Sequence, residues 1–244
     1  MTTLLAIDIG NTTVSIGLVA NGKVKKIWSV ATRPTDGSLK IRFKRALLSA
    51  RKDFWGIDSV VICSVVPNVT VIIKPIIKKV LAVRPLVIGQ DRLVCAYGAM
   101  VLYGAPAIVI DFGTAITFDV VSKKGEYLGG AIIPGLRLYA ESLFEKTALL
   151  PKVKIQAPEG VIGRDTANSI LSGIFYGYGV LCDGMIDLMT KEMKQKPIVI
   201  VTGGYSNLIK KFIKRINYAD KFLIFRGISA ICNAYCCCDN CCKI

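Results

Sequence analysis

A chain of 244 residues can form one large domain or two medium lobes with a substantial core, and 52% hydrophobic against 20% charged side chains excludes a disordered polymer. Lys and Arg number 32 against 17 Asp and Glu, a formal net charge of +15. Histidine is absent, which excludes His acid–base catalysis, His–metal ligation and His-containing triads, so any proton transfer falls to carboxylates, Lys, Cys, Tyr or water.

Residues 4–9 read as a strand, followed by a turn at Gly10-Asn11-Thr12 and a second strand over 14–19. Asn21-Gly22 is a strong hairpin signal and leads into a third strand, 23–30. Apolar residues at helical spacing predict a helix over 39–51. Next come a strand over 60–65, a helix over 69–80, a strand over 86–89 and a helix over 91–102. The pattern then restarts, with strands at 107–111, 116–121 and 127–133 and helices at 136–148 and 167–188. A strand at 198–201, the turn Thr202-Gly203-Gly204, a helix over 206–216, a final strand over 222–225 and a short terminal helix complete the chain.

Uncharged stretches at 93–110 and 166–182 carry Gly and Pro punctuation or polar residues, so they are expected as buried elements and not as membrane spans. Asp8 interrupts the first apolar run, so no secretory signal is expected and the cytoplasm is the expected compartment. Residues 23–52 hold ten basic side chains and one acid, Asp36. A positive surface attracts nucleic acid, acidic lipid or phosphorylated substrates. Zinc-finger spacing, an aromatic–basic strand motif and a long basic helix are all missing, so no nucleic-acid partner and no membrane partner are expected. Of nine cysteines, Cys63, Cys95, Cys182 and Cys232 are expected as buried thiols. Cys236, Cys237, Cys238, Cys241 and Cys242 form a low-complexity tail with one CxxC pair and no second well-spaced one.

AIDIGNTTVSIGLV at 6–19 and VIDFGTAITFDVV at 109–121 form a weak repeat at domain scale. Each puts a carboxylate, Asp8 or Asp111, at the end of a strand before a glycine turn. Such a turn lets backbone N–H groups approach a phosphate while the carboxylate holds its Mg²⁺. One such turn is an ordinary β-turn; two in matching contexts predict a phosphate chain gripped from both sides.

These residues resemble type III pantothenate kinase, of the acetate and sugar kinase, Hsp70 and actin superfamily. The similarity runs from residue 5 to about 225. Its motifs are DIGNT at 8–12, CSVVP at 63–67, GQDR at 89–92, IDFGTAITFDVVSKKGEYLGGAIIPG at 110–135, IGRDT at 162–166, SGIFYGY at 172–178 and TGG at 202–204. It implies an α/β, two-lobed actin-like (ribonuclease H-like) fold with duplicated mixed β-sheet domains, here 1–104 and 105–235, then a Cys-rich tail at 236–244. The implied activity is ATP-dependent phosphorylation of pantothenate, the first step of coenzyme A synthesis. Mg²⁺, a monovalent cation (K⁺ or NH₄⁺) and a homodimer are implied with it. Carried over by position, Asp91 is the catalytic aspartate. Asp8, Gly10, Asn11, Thr12, Asp111, Gly113, Thr114, Gly203 and Gly204 are ATP and phosphate residues, with Asp8 and Asp111 also metal ligands. Arg92 and Thr166 lie near the pantothenate pocket. The departure is at Val87-Ile88, which run straight into Gly89-Gln90-Asp91 where the family usually inserts a segment that shapes that pocket. A catalytically impaired ATP-binding regulator, or a kinase of the same fold with another substrate, is the alternative.

Overall fold

The computed structural model describes residues 3–34, 36–53 and 56–236. They form two units, one of residues 102–221 and the other of 3–101 together with 222–236.

The first unit opens with a meander, β1 (Thr3–Ile9), β2 (Thr13–Ala20) and β3 (Lys23–Ala31). Asn21 and Gly22 have φ of 53° and 70°, the left-handed pair that closes a two-residue hairpin. Then come α1 (Leu39–Asp53), β4 (Ser59–Ser64), α2 (Pro67–Leu81), β5 (Leu86–Ile88) and α3 (Asp91–Tyr103). The sheet order is β3-β2-β1-β4-β5, with β4 and β5 parallel to β1. Alternation along β1 sorts its side chains. Leu5, Ile7 and Ile9 pack with α1 and α2 through Phe43, Leu47, Ile73 and Ile77. Leu4 and Ala6 face Val94 of α3 and Phe225, Ile228 and Cys232 of the terminal helix.

The second unit repeats that plan with β6 (Ala107–Phe112), β7 (Ala115–Val121), β8 (Tyr127–Pro134), α4 (Leu136–Lys146), α5 (Thr166–Met193), β9 (Ile198–Thr202), α6 (Ser206–Ile209) and β10 (Tyr218–Ala219). Its order, β10-β9-β6-β7-β8, is that of the first sheet read from the other edge. The duplicated mixed sheets that the repeat predicts are therefore present. Ile108, Ile110 and Phe112 pack beneath α4 and α5 with Phe175, Tyr178 and Cys182. By length and composition α5 could cross a bilayer; one side of it is built into this core.

That core keeps its protons. Burial first, and then the charge of Asp183, pushes the Cys182 thiol up to about 12. Burial, then the charges of Tyr139 and Cys182, pushes the Tyr178 hydroxyl to about 12, and this hydroxyl donates to the Pro134 carbonyl at 2.6 Å. A raised value means that the unfolded chain loses these protons first, from ordinary values of 9.0 for the thiol and 10.0 for the phenol, while the folded chain retains them. Stability is thus intact below about pH 9 and falls as pH climbs towards about 12. Urea midpoints should decline over that window, less steeply in Cys182→Ala. A Cys182→Ala profile parallel to wild type would remove the thiol from this account.

Three sequence expectations are corrected. Residues 222–225 are not a strand: Phe222 is a turn residue and 223–225 begin α7 (Leu223–Cys236), whose first turn closes with Phe225 N–H and Arg226 N–H donating to the Phe222 carbonyl. The second lobe does not extend to 235, because α7 packs on the first sheet. Gly98 and Gly227 let α3 and α7 cross at backbone distance: a Cβ on Gly98 would lie 2.8 Å from Gly227 Cα, and one on Gly227 would lie 2.5 Å from the Val94 carbonyl oxygen. The helix expected over 206–216 ends at Ile209, with a 3₁₀ turn over Lys210–Phe212. Asp183 takes the next free donors, accepting from Lys214 N–H and Arg215 N–H at 3.1 Å, which turns the chain and buries Ile213. In the Cys-rich tail, residues 237–244 lie outside the described residues.

Candidate active site

In the first unit, Asp8 is the penultimate residue of β1, on the face shared with Leu4 and Ala6, where α3 packs. Its register neighbour on β4 is Cys63, whose neighbour on β5 is Ile88. The three stand in a row at the C-terminal ends of parallel strands. The turn after Asp8 is tight. Gly10 N–H donates to the Thr13 carbonyl at 3.0 Å, and the Thr32 hydroxyl donates to the Gly10 carbonyl at 2.7 Å. Asn11 at the tip is exposed, and Thr12 beside it is half-buried.

Asp91 opens α3, only Gly89 and Gln90 separating it from β5. Its Oδ1 accepts from Arg92 N–H at 2.8 Å, so the carboxylate also helps satisfy the helix start. The Cys63 thiol donates to the Gly89 carbonyl at 3.0 Å. Burial first, and then the charges of Asp8 and Asp91, drives this thiol far above its ordinary range. Both carboxylates therefore bear on one buried, uncharged sulfur. The sequence treats Cys63 as a packing residue; its place in the row follows from strand register, which CSVVP alone does not reveal.

In the second unit, Asp111 is the penultimate residue of β6, in register with Thr117 on β7 and Thr202 on β9. Gly113 N–H donates to the Ala115 carbonyl at 3.1 Å, the counterpart of the Gly10 turn. Two further glycines close on it. A Cβ on Gly135 would collide with the Thr114 and Gly113 carbonyl oxygens. Gly203 has φ of +91°, and a Cβ there would collide with Asp111 Oδ1 and the Phe112 backbone. Tyr205 N–H donates to the Phe112 carbonyl at 3.2 Å, tying this loop to the β6 end. Gly204 beside it is open and exposed. Thr166 lies on the exposed first turn of α5, which Asp165 caps by accepting from Asn168 N–H at 2.7 Å; no hydrogen bond joins Thr166 to the Asp111 cluster among the described residues. Asp119, fully buried, is a residue the sequence did not single out. It accepts from the Thr117 hydroxyl at 3.1 Å and from the Tyr127 hydroxyl at 2.8 Å, and so anchors the strand face below Asp111.

Among the described residues no cluster of three or more His, Cys, Asp or Glu could hold a metal unaided. Single carboxylates at open strand ends suit Mg²⁺ bound together with phosphate oxygens and water.

A family model described as type III pantothenate kinase matches residues 4–90 and 85–188. The chain belongs to the type III pantothenate kinase family. The Moorella thermoacetica type III pantothenate kinase is 38% identical over 248 residues, covering 93% of this chain and 98% of that protein. Among solved structures, the inorganic polyphosphate/ATP-glucomannokinase of an Arthrobacter species has a TM-score of 0.55 at 18% identity, covering 96% of this chain and 100% of that one. MreB 5 of Spiroplasma citri, bound to AMPPNP, has a TM-score of 0.55 at 11% identity, covering 96% and 97%. The fold is thus the actin-like, sugar-kinase fold. The two pieces of the family match overlap at 85–90, so those residues serve both as the end of one piece and as the start of the next. The Moorella alignment likewise has 248 positions, although only 93% of these 244 residues enter it. A stretch of the pantothenate kinase pattern is therefore missing here, and the family match breaks where β5 meets Asp91.

Proposed function

We propose that this chain transfers the γ-phosphoryl group of ATP to the primary hydroxyl of pantothenate, giving 4'-phosphopantothenate, the first step towards coenzyme A. The observation that carries it is the doubled carboxylate–glycine turn, at Asp8-Ile9-Gly10 and Asp111-Phe112-Gly113, in a chain of this family. Gly10, Asn11 and Thr12 in one unit, and Gly113 and Thr114 in the other, would offer backbone and hydroxyl donors to ATP phosphates, with Gly203 and Gly204 on the adenosine side. Asp8 and Asp111 would hold Mg²⁺, which neutralises developing phosphate charge when bound. Asp91 would orient the acceptor hydroxyl and take its proton as the oxygen–phosphorus bond forms and ADP leaves. Arg92 and Thr166 are assigned to the acceptor side. Incubation with ATP, Mg²⁺, K⁺ or NH₄⁺ and pantothenate, with mass detection of the product, tests the reading.

The absent stretch before Asp91 favours a second one, an ATP-binding protein that turns over pantothenate poorly or takes another alcohol. In the same assay that protein binds ATP and forms no 4'-phosphopantothenate.

The cytoplasm is the proposed compartment and a homodimer the proposed assembly. Supporting the dimer, the side of α5 turned from the core carries Gly173, Gly177, Val180, Gly184 and Leu188; Val180 is 75% exposed and Leu188 65%. Light scattering is expected to give twice the chain mass, and Val180→Glu to give monomer with reduced pantothenate turnover. A wild-type monomer would end this assembly.

A further inference from the structure

The positive charge is unevenly placed. Helices α1 and α2 carry nine Lys and Arg side chains against one acid, Asp53, which is paired to Lys26 on β3 at 2.6 Å. The two helices pack side by side on one face of the first sheet. With Phe43 and Leu47 of α1 turned inward, helical spacing sends Ile41, Arg45, Leu48 and Lys52 outward, and all four are exposed. On α2, Ile73 and Ile77 point inward while Val71 and Lys78 point outward. Val71 is 71% exposed and Ile41 58%. Bulky aliphatic side chains thus stand among cations at the outermost line of both helices.

We propose that the outer face of α1 and α2 is a docking surface for an anionic phospholipid bilayer. Lys and Arg meet lipid phosphates and carboxylates, while Ile41, Leu48 and Val71 enter the boundary between headgroups and acyl chains, the division of labour of a helix lying in a membrane interface. A nucleic-acid backbone fits this face less well, because phosphates and sugars are met by basic and polar side chains and offer nothing to exposed aliphatic groups. This is attachment to a surface, not passage through one. None of these residues belongs to the proposed ATP or acceptor machinery.

The test is co-sedimentation of the full chain with phosphatidylcholine vesicles containing about 30% phosphatidylglycerol, with pure phosphatidylcholine vesicles and a short DNA duplex in parallel. Binding is expected on the anionic vesicles only. At about fivefold per charge removed, Arg45→Gln/Lys52→Gln/Lys78→Gln should lower affinity roughly 100-fold. Ile41→Ser/Leu48→Ser should lower it about tenfold through lost apolar insertion. Both variants should bind ATP as wild type does, which reports that they are folded. Vesicle binding insensitive to the Ser pair, duplex binding of equal strength, or no binding to anionic vesicles would each overturn the proposal.

Discussion

Asp91→Asn is expected to lower kcat by about 10²-fold or more, the scale of a lost general base. Asn keeps an oxygen where Oδ1 accepts from Arg92 N–H, so the start of α3 survives the exchange. It also leaves the buried Cys63 thiol with one fewer negative neighbour, which relaxes the site electrostatically and does not strain it. The thermal midpoint and ATP affinity should therefore stay near wild type, with the loss confined to kcat. Steady-state kinetics alongside calorimetric ATP binding separate the cases. A folded variant with near-normal turnover would return Asp91 to the role of a helix-start residue.

Gly203→Ala is expected to weaken ATP binding at least tenfold and to destabilise the second unit by about 2 kcal/mol or more, the cost of a side chain forced into the left-handed region. The backbone there sits at φ +91°, and the new methyl would collide with Asp111 Oδ1 and the Phe112 backbone. Relief requires moving either the loop or the carboxylate proposed for metal and phosphate. Gly204→Ala is the control: its Cβ meets nothing within 4 Å. It should fold like wild type and change only what a methyl does to nucleotide contact. Denaturation midpoints and ATP titrations of both variants report the contrast, and equal stability losses would refute it.

Features set by local chemistry were legible in the sequence. Asn21-Gly22 announces its hairpin because few other pairs accept two left-handed residues in succession. The alternation over 4–9 and 107–111 announces central strands, and the repeat of Asp before Gly announces the duplicated sheet. Features set by distant partners were not legible. Residues 222–225 look like a strand until Gly98 shows that a helix can approach α3 there. The helix over 206–216 looks continuous until Asp183, far away in sequence, claims the amides of Lys214 and Arg215. Cys63 looks like filler until parallel register sets it beside Asp8. Asp119 hides for the same reason: its hydroxyl partners are Thr117 on its own strand and Tyr127 on the next.

The return of α7 to the first sheet has a consequence for how the molecule is made. Leu4, Ala6 and Val61 leave the ribosome more than 150 residues before Phe225, Ile228 and Cys232, which cover them. Residues 102–221 can close upon themselves as soon as they emerge, whereas the half made first waits, one flank bare, until α7 has followed them. A nascent chain stalled after Lys221 would hold a finished second unit and an incomplete first one.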